Sequence, residues 1–262
     1  DFTDGPFMDA NTTATTLTPA SAGVGAGVNI TASAITGING GVGWLATDVG
    51  RQIYFNSGYA TITARTSATV AVATVTTAFT NANAIAAWQL GSFSDTTGHP
   101  SCVTFFEQRL VFAGTTDQPQ TIFFSKSGDY ENMDENIGGT VADDDAMVYT
   151  IASNQVNAIR FMTATRTLII GTAGGEFTVS GGGTDSAVTP TNILIKKQSN
   201  HGSANVDALA VGNATLFLQR AKRKIRELAY NFDVDGYIAP DMTILAEHIT
   251  EGGLTQIAYQ QE

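Results

Sequence analysis

With 262 residues, 43% of them apolar, the chain is long enough for two ordinary domains with real cores. Only 14% of residues are charged, and 24 acidic against 13 basic side chains give a net charge of −11, which disfavours a general electrostatic grip on nucleic acid or anionic lipid. A single cysteine, Cys102, fits neither a disulfide scaffold nor a cysteine-based zinc site, and no apolar run is long enough to suggest a membrane anchor or a secretory leader.

The polar character comes from Thr, Ser, Asn, Gln and 27 glycines, the composition of short strands joined by tight turns, so an all-β chain is expected. Residues 1–27 open with the turn Asp4-Gly-Pro6 and continue through a run of Thr, Ala, Ser and Gly with too little apolar bulk for a core. They read as an extended N-terminal arm. Residues 28–98 read as a small Thr/Ala-rich β-domain, a sandwich or barrel. Within it, Ala60–Thr66 and Thr69–Thr77 alternate with period two, Trp44, Phe55, Phe79 and Trp88 supply bulk, and Asn39-Gly-Gly and Asn56-Ser-Gly supply turns. The stretch Ser92 to Pro100 reads as a linker.

Residues 99–262 repeat an apolar hairpin. Arg109–Thr115 precedes Thr121–Ser125, Arg166–Thr172 precedes Glu176–Ser180, and Ala214–Gln219 precedes Lys224–Tyr230. The corresponding leucines Leu110, Leu168 and Leu216 stand 58 and 48 residues apart. Flanking strands such as Asn157–Met162 and Val206–Val211 allow four strands per unit, the content of a propeller blade. The expected architecture is an incomplete β-propeller-like domain with the three leucines on buried inner strands; a sandwich of three hairpins has the same local pattern. Because the chain opens on Asp1 and stops inside a strand-like run, Leu254–Glu262, it reads as a fragment truncated at its C-terminus. An unclosed propeller would expose a blade face, so concentration-dependent association is expected.

Catalytic signals are sparse. His99, His201 and His248 stand far apart, no nucleophile elbow or phosphate-cradling glycine motif is present, and His201 in Asn200-His-Gly202 reads as a loop residue. The stretch from Asp129 to Asp145 carries seven carboxylates, with Asp143, Asp144 and Asp145 as an acidic contact loop; a solvated loop is the commoner outcome. Asp233-Val-Asp-Gly236 imitates part of a calcium loop, but Ile244 stands where the closing Glu is required. No enzyme activity, cofactor or metal is expected. The sharpest charge anomaly is Arg220, Lys222, Arg223, Lys224 and Arg226, five of the 13 basic residues within seven positions. A strand would align Arg220, Lys222, Lys224 and Arg226 on one face, for contact with phosphates or with an acidic neighbouring subunit, or as charge protecting a sheet edge. Pairing of that run with the acidic loop across subunits is one arrangement consistent with the charges.

The run Pro100–Thr115 with Ser127-Gly-Asp-Tyr-Glu-Asn132 resembles the tail nozzle (tail tubular protein B) family of short-tailed bacteriophages and related prophages. The likeness continues through Asp143–Ala146, Ile151–Arg160, Leu168–Glu176, Thr189–Asn192, Gly202–Asn205 and Arg226–Tyr230, with Phe2–Pro6 upstream. Residues 28–98, with Asp48-Val-Gly-Arg51 and Trp88-Gln-Leu-Gly91, resemble the small E1 FCCH-like β-domain inserted in such proteins. The resemblance implies a structural virion component, assembled in the host cytoplasm and located in the virion tail. It also implies a homo-oligomer, usually a hexamer, bound to a tail tube or adaptor protein and passing double-stranded DNA without tight binding. A carbohydrate-binding or carbohydrate-active propeller module contacting host glycan is the competing class.

Overall fold

The structure is a computed structural model that describes residues 2, 4–152, 157–183 and 186–260. The chain is all-β, and it divides into two compact units, one of Asp1–His99 with Glu131–Thr140, the other of Pro100–Tyr130 with Val141–Glu262. Residues 153–156, within one of the nozzle-like runs, lie outside the described residues.

The first unit is built on one antiparallel sheet of six strands: β1 (Leu17–Pro19), β2 (Gly25–Ala32), β3 (Gln52–Phe55), β4 (Gly58–Arg65), β5 (Val70–Thr77) and β6 (Trp88–Leu90), in the order β1-β2-β5-β4-β3-β6. The period-two runs form β4 and β5 as expected. Asn56 and Ser57 turn the β3–β4 hairpin with φ of 52° and 59°, the conformation a two-residue hairpin turn demands. Trp44, Phe55, Phe79 and Trp88 join one core with Ile30, Ile53 and Ile62.

The sheet curls until its ends meet. Leu17 exchanges two backbone hydrogen bonds with Ile85, of 2.9 and 3.0 Å, just ahead of β6. Residues of the supposed arm line the free side of β6: Met8 N–H donates to Leu90 O and Asn11 N–H to Trp88 O, both at 2.9 Å. The arm is therefore part of this unit, which begins well before residue 28. A backbone row without partners is costly to leave bare, and residues 7–17 supply the partners here. The predicted linker is likewise packed: Ser92, Ser94 and Thr97 are buried, and the Thr97 hydroxyl donates to Ser92 O at 2.7 Å.

The second unit contains three antiparallel sheets of four strands, each a simple meander in chain order. The first holds β7 (Cys102–Phe106), β8 (Arg109–Ala113), β9 (Thr121–Phe124) and β10 (Met147–Thr150); the second β11 (Ile159–Ala164), β12 (Leu168–Thr172), β13 (Gly175–Ser180) and β14 (Leu194–Ser199). The third holds β15 (Leu209–Val211), β16 (Ala214–Leu218), β17 (Ile225–Asn231) and β18 (Gly236–Ile238). The repeated hairpins are the second and third strands of each sheet, as propeller-like blades require.

The sheets stack face to face, the middle one apolar on both sides. Leu168, Ile170, Phe177 and Val179 pack with Val111, Ile122, Phe124 and Met147 of the first sheet. Ile169 and Phe161 pack with Phe217 and Leu228 of the third. A bulge in β11 between Ile159 and Phe161 makes this possible, because it sends two residues that would share a face to opposite sides. Gly171 completes the fit: a Cβ there would lie 2.0 Å from the Phe161 ring.

Two expectations need correction. Leu168 is fully buried, but Leu110 and Leu216 are only half-buried, because alternation points them away from the neighbouring sheet and gives the burial to Val111 and Phe217. No strand forms over the described part of Leu254–Glu262; Leu254 N–H instead donates to Lys222 O at 2.8 Å. The single α-helix among the described residues, α1 (Glu247–Thr250), is one turn long, and no helix among them is long and apolar enough to cross a membrane.

Candidate functional site

The basic run does not form the strand face expected of it. β16 ends at Leu218 and β17 begins at Ile225, so Arg220 to Lys224 form the turn of a hairpin. Gln219 N–H donates to Lys224 O at 2.9 Å, Lys222 N–H donates to Gln219 O at 2.7 Å, and Lys222 takes a left-handed φ of 61°. The geometry explains the departure: six residues between paired strands cannot all keep period-two alternation. Only Arg226 lies in a strand, where it faces the second sheet beside Phe217.

The segment that follows β18 neutralises much of this turn. Lys224 Nζ lies 2.8 Å from Asp241 Oδ2 and 3.3 Å from Glu247 Oε1, and Arg223 Nη2 lies 3.7 Å from Glu251 Oε1. Hydrogen bonding to Lys224 and Thr243 holds the Asp241 carboxyl well below the usual carboxylate range, and the same Asp241 contact raises Lys224. Arg226 donates to Gln219 Oε1 at 2.9 Å and to Ala239 O at 2.6 Å. Arg220 and Lys222 are exposed and form no ion pair among the described residues. A shallow cavity of about 280 Å³ lies beside the turn, lined by Gln219, Ala221, Arg223, Lys224 and Glu247. Its mixed charge, with both lysine and glutamate in the wall, is a poor match to a phosphate, which favours convergent donors.

The acidic triple also differs from an outward-facing loop. Asp145 is buried: its carboxylate accepts from Ala142 N–H at 2.7 Å and pairs with Lys126 at 2.8 Å. Arg109, itself buried, donates to the carbonyls of Ser125, Asp143 and Asp145 at 2.7, 2.6 and 2.7 Å. Only Asp143 and Asp144 present exposed side chains. The described pairs of the basic run reach Asp241, Glu247 and Glu251 rather than this loop.

Sequence reasoning missed Arg109 as an anchor and missed Glu176. Glu176 is wholly buried on the face of the second sheet that meets the third, and its carboxylate accepts hydrogen bonds from the hydroxyls of Ser199 and, at 2.8 Å, Ser203. His201 stands nearby, half-buried, with its pKa lowered by burial and by Arg226 against the opposing pull of Glu176. Ser203 is 1% exposed, so this trio ties the loop between two sheets and has no room for a substrate. Cys102 is buried and its thiol is pushed up by burial, away from nucleophilic reactivity. Among the described residues, no cluster of three His, Cys, Asp or Glu side chains is placed to hold a metal ion.

The Asp48–Arg51 run that carried the small-domain resemblance is a buried polar knot. Arg51 Nη1 lies 3.1 Å from Asp48 Oδ1, and its Nε donates to Gly91 O at 2.8 Å. Asp48 also accepts from Leu45 N–H, Asn39 Nδ2 and Thr96 Oγ1 at 2.7, 2.7 and 2.8 Å. Such a satisfied pair fixes the register of the loop on β3 and supplies no open chemistry.

No protein-family model matches the sequence, and no curated protein matches it. Among solved structures, the chain is similar to an auxiliary nutrient binding protein from Bacteroides thetaiotaomicron, at 9% identity and a TM-score of 0.32. That match covers 83% of this chain and 56% of the other, so the chain spans little more than half of the neighbour's length, and a likeness this distant carries no argument about function.

Proposed function

We propose that this chain is a structural component of a short phage tail, part of a nozzle through which the genome leaves the virion. The observation that carries the reading is where the nozzle-like runs fall in the fold. Arg109 and the Asp143 and Asp145 carbonyls it binds, Glu176 with Ser203, and Arg226, which donates to Ala239 O outside the runs, belong to them and tie strands or sheets together. The resemblance therefore concentrates on residues that build a scaffold, as expected of a protein whose work is mechanical.

Two further features support it. The net charge of −11 and a basic turn whose Arg223 and Lys224 are paired within the chain suit a conduit, whose wall should repel phosphates and leave DNA free to slide. The third sheet and the segment after it expose Phe232, Leu245 and Ile249 at 87%, 94% and 71%, apolar side chains of the kind that an assembly contact buries. Its proposed occupant is a second copy of this chain, with a tail tube or adaptor protein as the further partner and the virion tail as the location.

Negative-stain microscopy of the protein, alone and mixed with a phage tail-tube protein, tests the proposal. Rings with a central channel are expected. Dispersed particles under both conditions, or specific retention on a glycan array, would overturn it in favour of a surface-binding module.

A further inference from the structure

The acidic stretch has a second use, independent of the function proposed above. Residues Glu131–Thr140 belong by their packing to the first unit, although both chain neighbours belong to the second. On β3 and β4, Ile53, Phe55 and Ala60 point into the core, so Tyr54 and Tyr59 point outward, where their rings lie 5.1 Å from each other and 5.8 Å from Phe7. The strap crosses this aromatic face. Met133 is buried, and its N–H donates to Asp4 O at 2.9 Å. Tyr54 donates its hydroxyl to Ile137 O at 2.9 Å, and Tyr59 donates to Asp134 Oδ1 at 3.0 Å. Gly5 permits the approach: its φ is +75°, and a Cβ there would lie 2.7 Å from Met133 O.

The seat is acidic on both sides. Asp134 and Glu135 come from the strap, Asp4 and Asp9 from the N-terminal segment, and the two phenols complete the set of titratable groups that influence one another here. Burial, then Asp134 and Asp9, push the Glu135 carboxyl from an ordinary 4.5 up to about 7. Burial and Asp134 raise Asp4 as well, and no cation contributes to either shift.

We propose that Glu131–Thr140 is a proton-operated clasp, seated on the Tyr54–Tyr59 face in mild acid and loosened as Glu135 and Asp4 give up their protons. A carboxyl that holds its proton more tightly in the docked state favours docking below its free pKa, and that contribution is lost as pH rises through the docked value. For Glu135 the window runs from about 4.5 to about 7. Across it the docking constant should fall by up to about tenfold per pH unit and level off above.

Hydrogen exchange of the whole protein between pH 5 and 8, corrected for intrinsic rates, reads this directly. Peptides spanning the strap should lose roughly fortyfold of protection between pH 5 and 7, while peptides from β4 and β5 hold theirs. Glu135→Gln should keep the strap protected at pH 8 and flatten the profile. Tyr59→Phe should lower protection at every pH and leave the slope. Protection of the wild-type strap that does not change with pH would overturn the clasp, and an unchanged slope in Glu135→Gln would overturn the role of Glu135.

Discussion

The two units handle the same problem, the free edges and faces of a β-sheet, in opposite ways. In the first, six strands curl until Leu17 meets Ile85, and the N-terminal segment pairs along β6, so both outer strands find backbone partners. In the second, sheets are added face to face. The middle sheet has both faces covered, and β12 is buried at all five positions. The third has one face covered, and β16, the counterpart of β12 in the next hairpin, is buried only at Thr215, Phe217 and Leu218. A closed sheet finishes itself, whereas a stack always ends in a surface that asks for the next member.

The sharpest way to break the closed unit is to remove what closes it. A chain beginning at Val28 lacks β1 and the partners of β6, and it should lose the first unit's cooperative transition while the second unit still melts, as differential scanning calorimetry would show. Next in size is the polar knot: Arg51→Ala leaves the buried Asp48 carboxylate without its cation and should cost about 3–5 kcal/mol in urea unfolding of that unit. In the stack, Leu168→Ala should cost about 2–5 kcal/mol and Leu216→Ala no more than about 1 kcal/mol, a contrast that comes from one face being covered and the other open. Equal costs would mean that the third sheet is as enclosed as the second. The smallest effect belongs to Lys224→Ala, whose exposed pairs with Asp241 and Glu247 should leave the melting temperature unchanged within error and slightly raise weak, salt-sensitive repulsion of DNA.

Much of this fold is legible in the residues themselves. Period-two runs gave β4 and β5, and the hairpin repeat gave the central strands of all three sheets, because alternation and turn residues are local signals. What stayed hidden was set by distant partners. Residues 1–27 look too poor in apolar bulk to pack, yet their backbone groups complete a sheet by pairing with Ile85, Trp88 and Leu90. Leu110, Leu168 and Leu216 look equivalent, yet burial follows which side of each strand meets a neighbouring sheet, a property of the stack. At the candidate site, the charge run itself was visible, but the pairing of Arg223 and Lys224 with Asp241, Glu247 and Glu251 depends on how the segment after β18 folds back. Arg109 and Glu176 carried no signal of burial, since a charged residue in a strand is ordinarily taken as an outward one.

The central claim is that the open end of the stack is an assembly surface for a second copy of the chain. Sedimentation velocity across a hundredfold range of concentration tests it, with the double variant Leu245→Asp, Ile249→Asp as the comparison, since both side chains are exposed and their replacement should leave the melting curve intact. The wild-type chain should shift to larger species as concentration rises, and the variant should remain a monomer. A wild-type chain that sediments as a single monomeric species throughout, with the same melting curve as the variant, would contradict the claim.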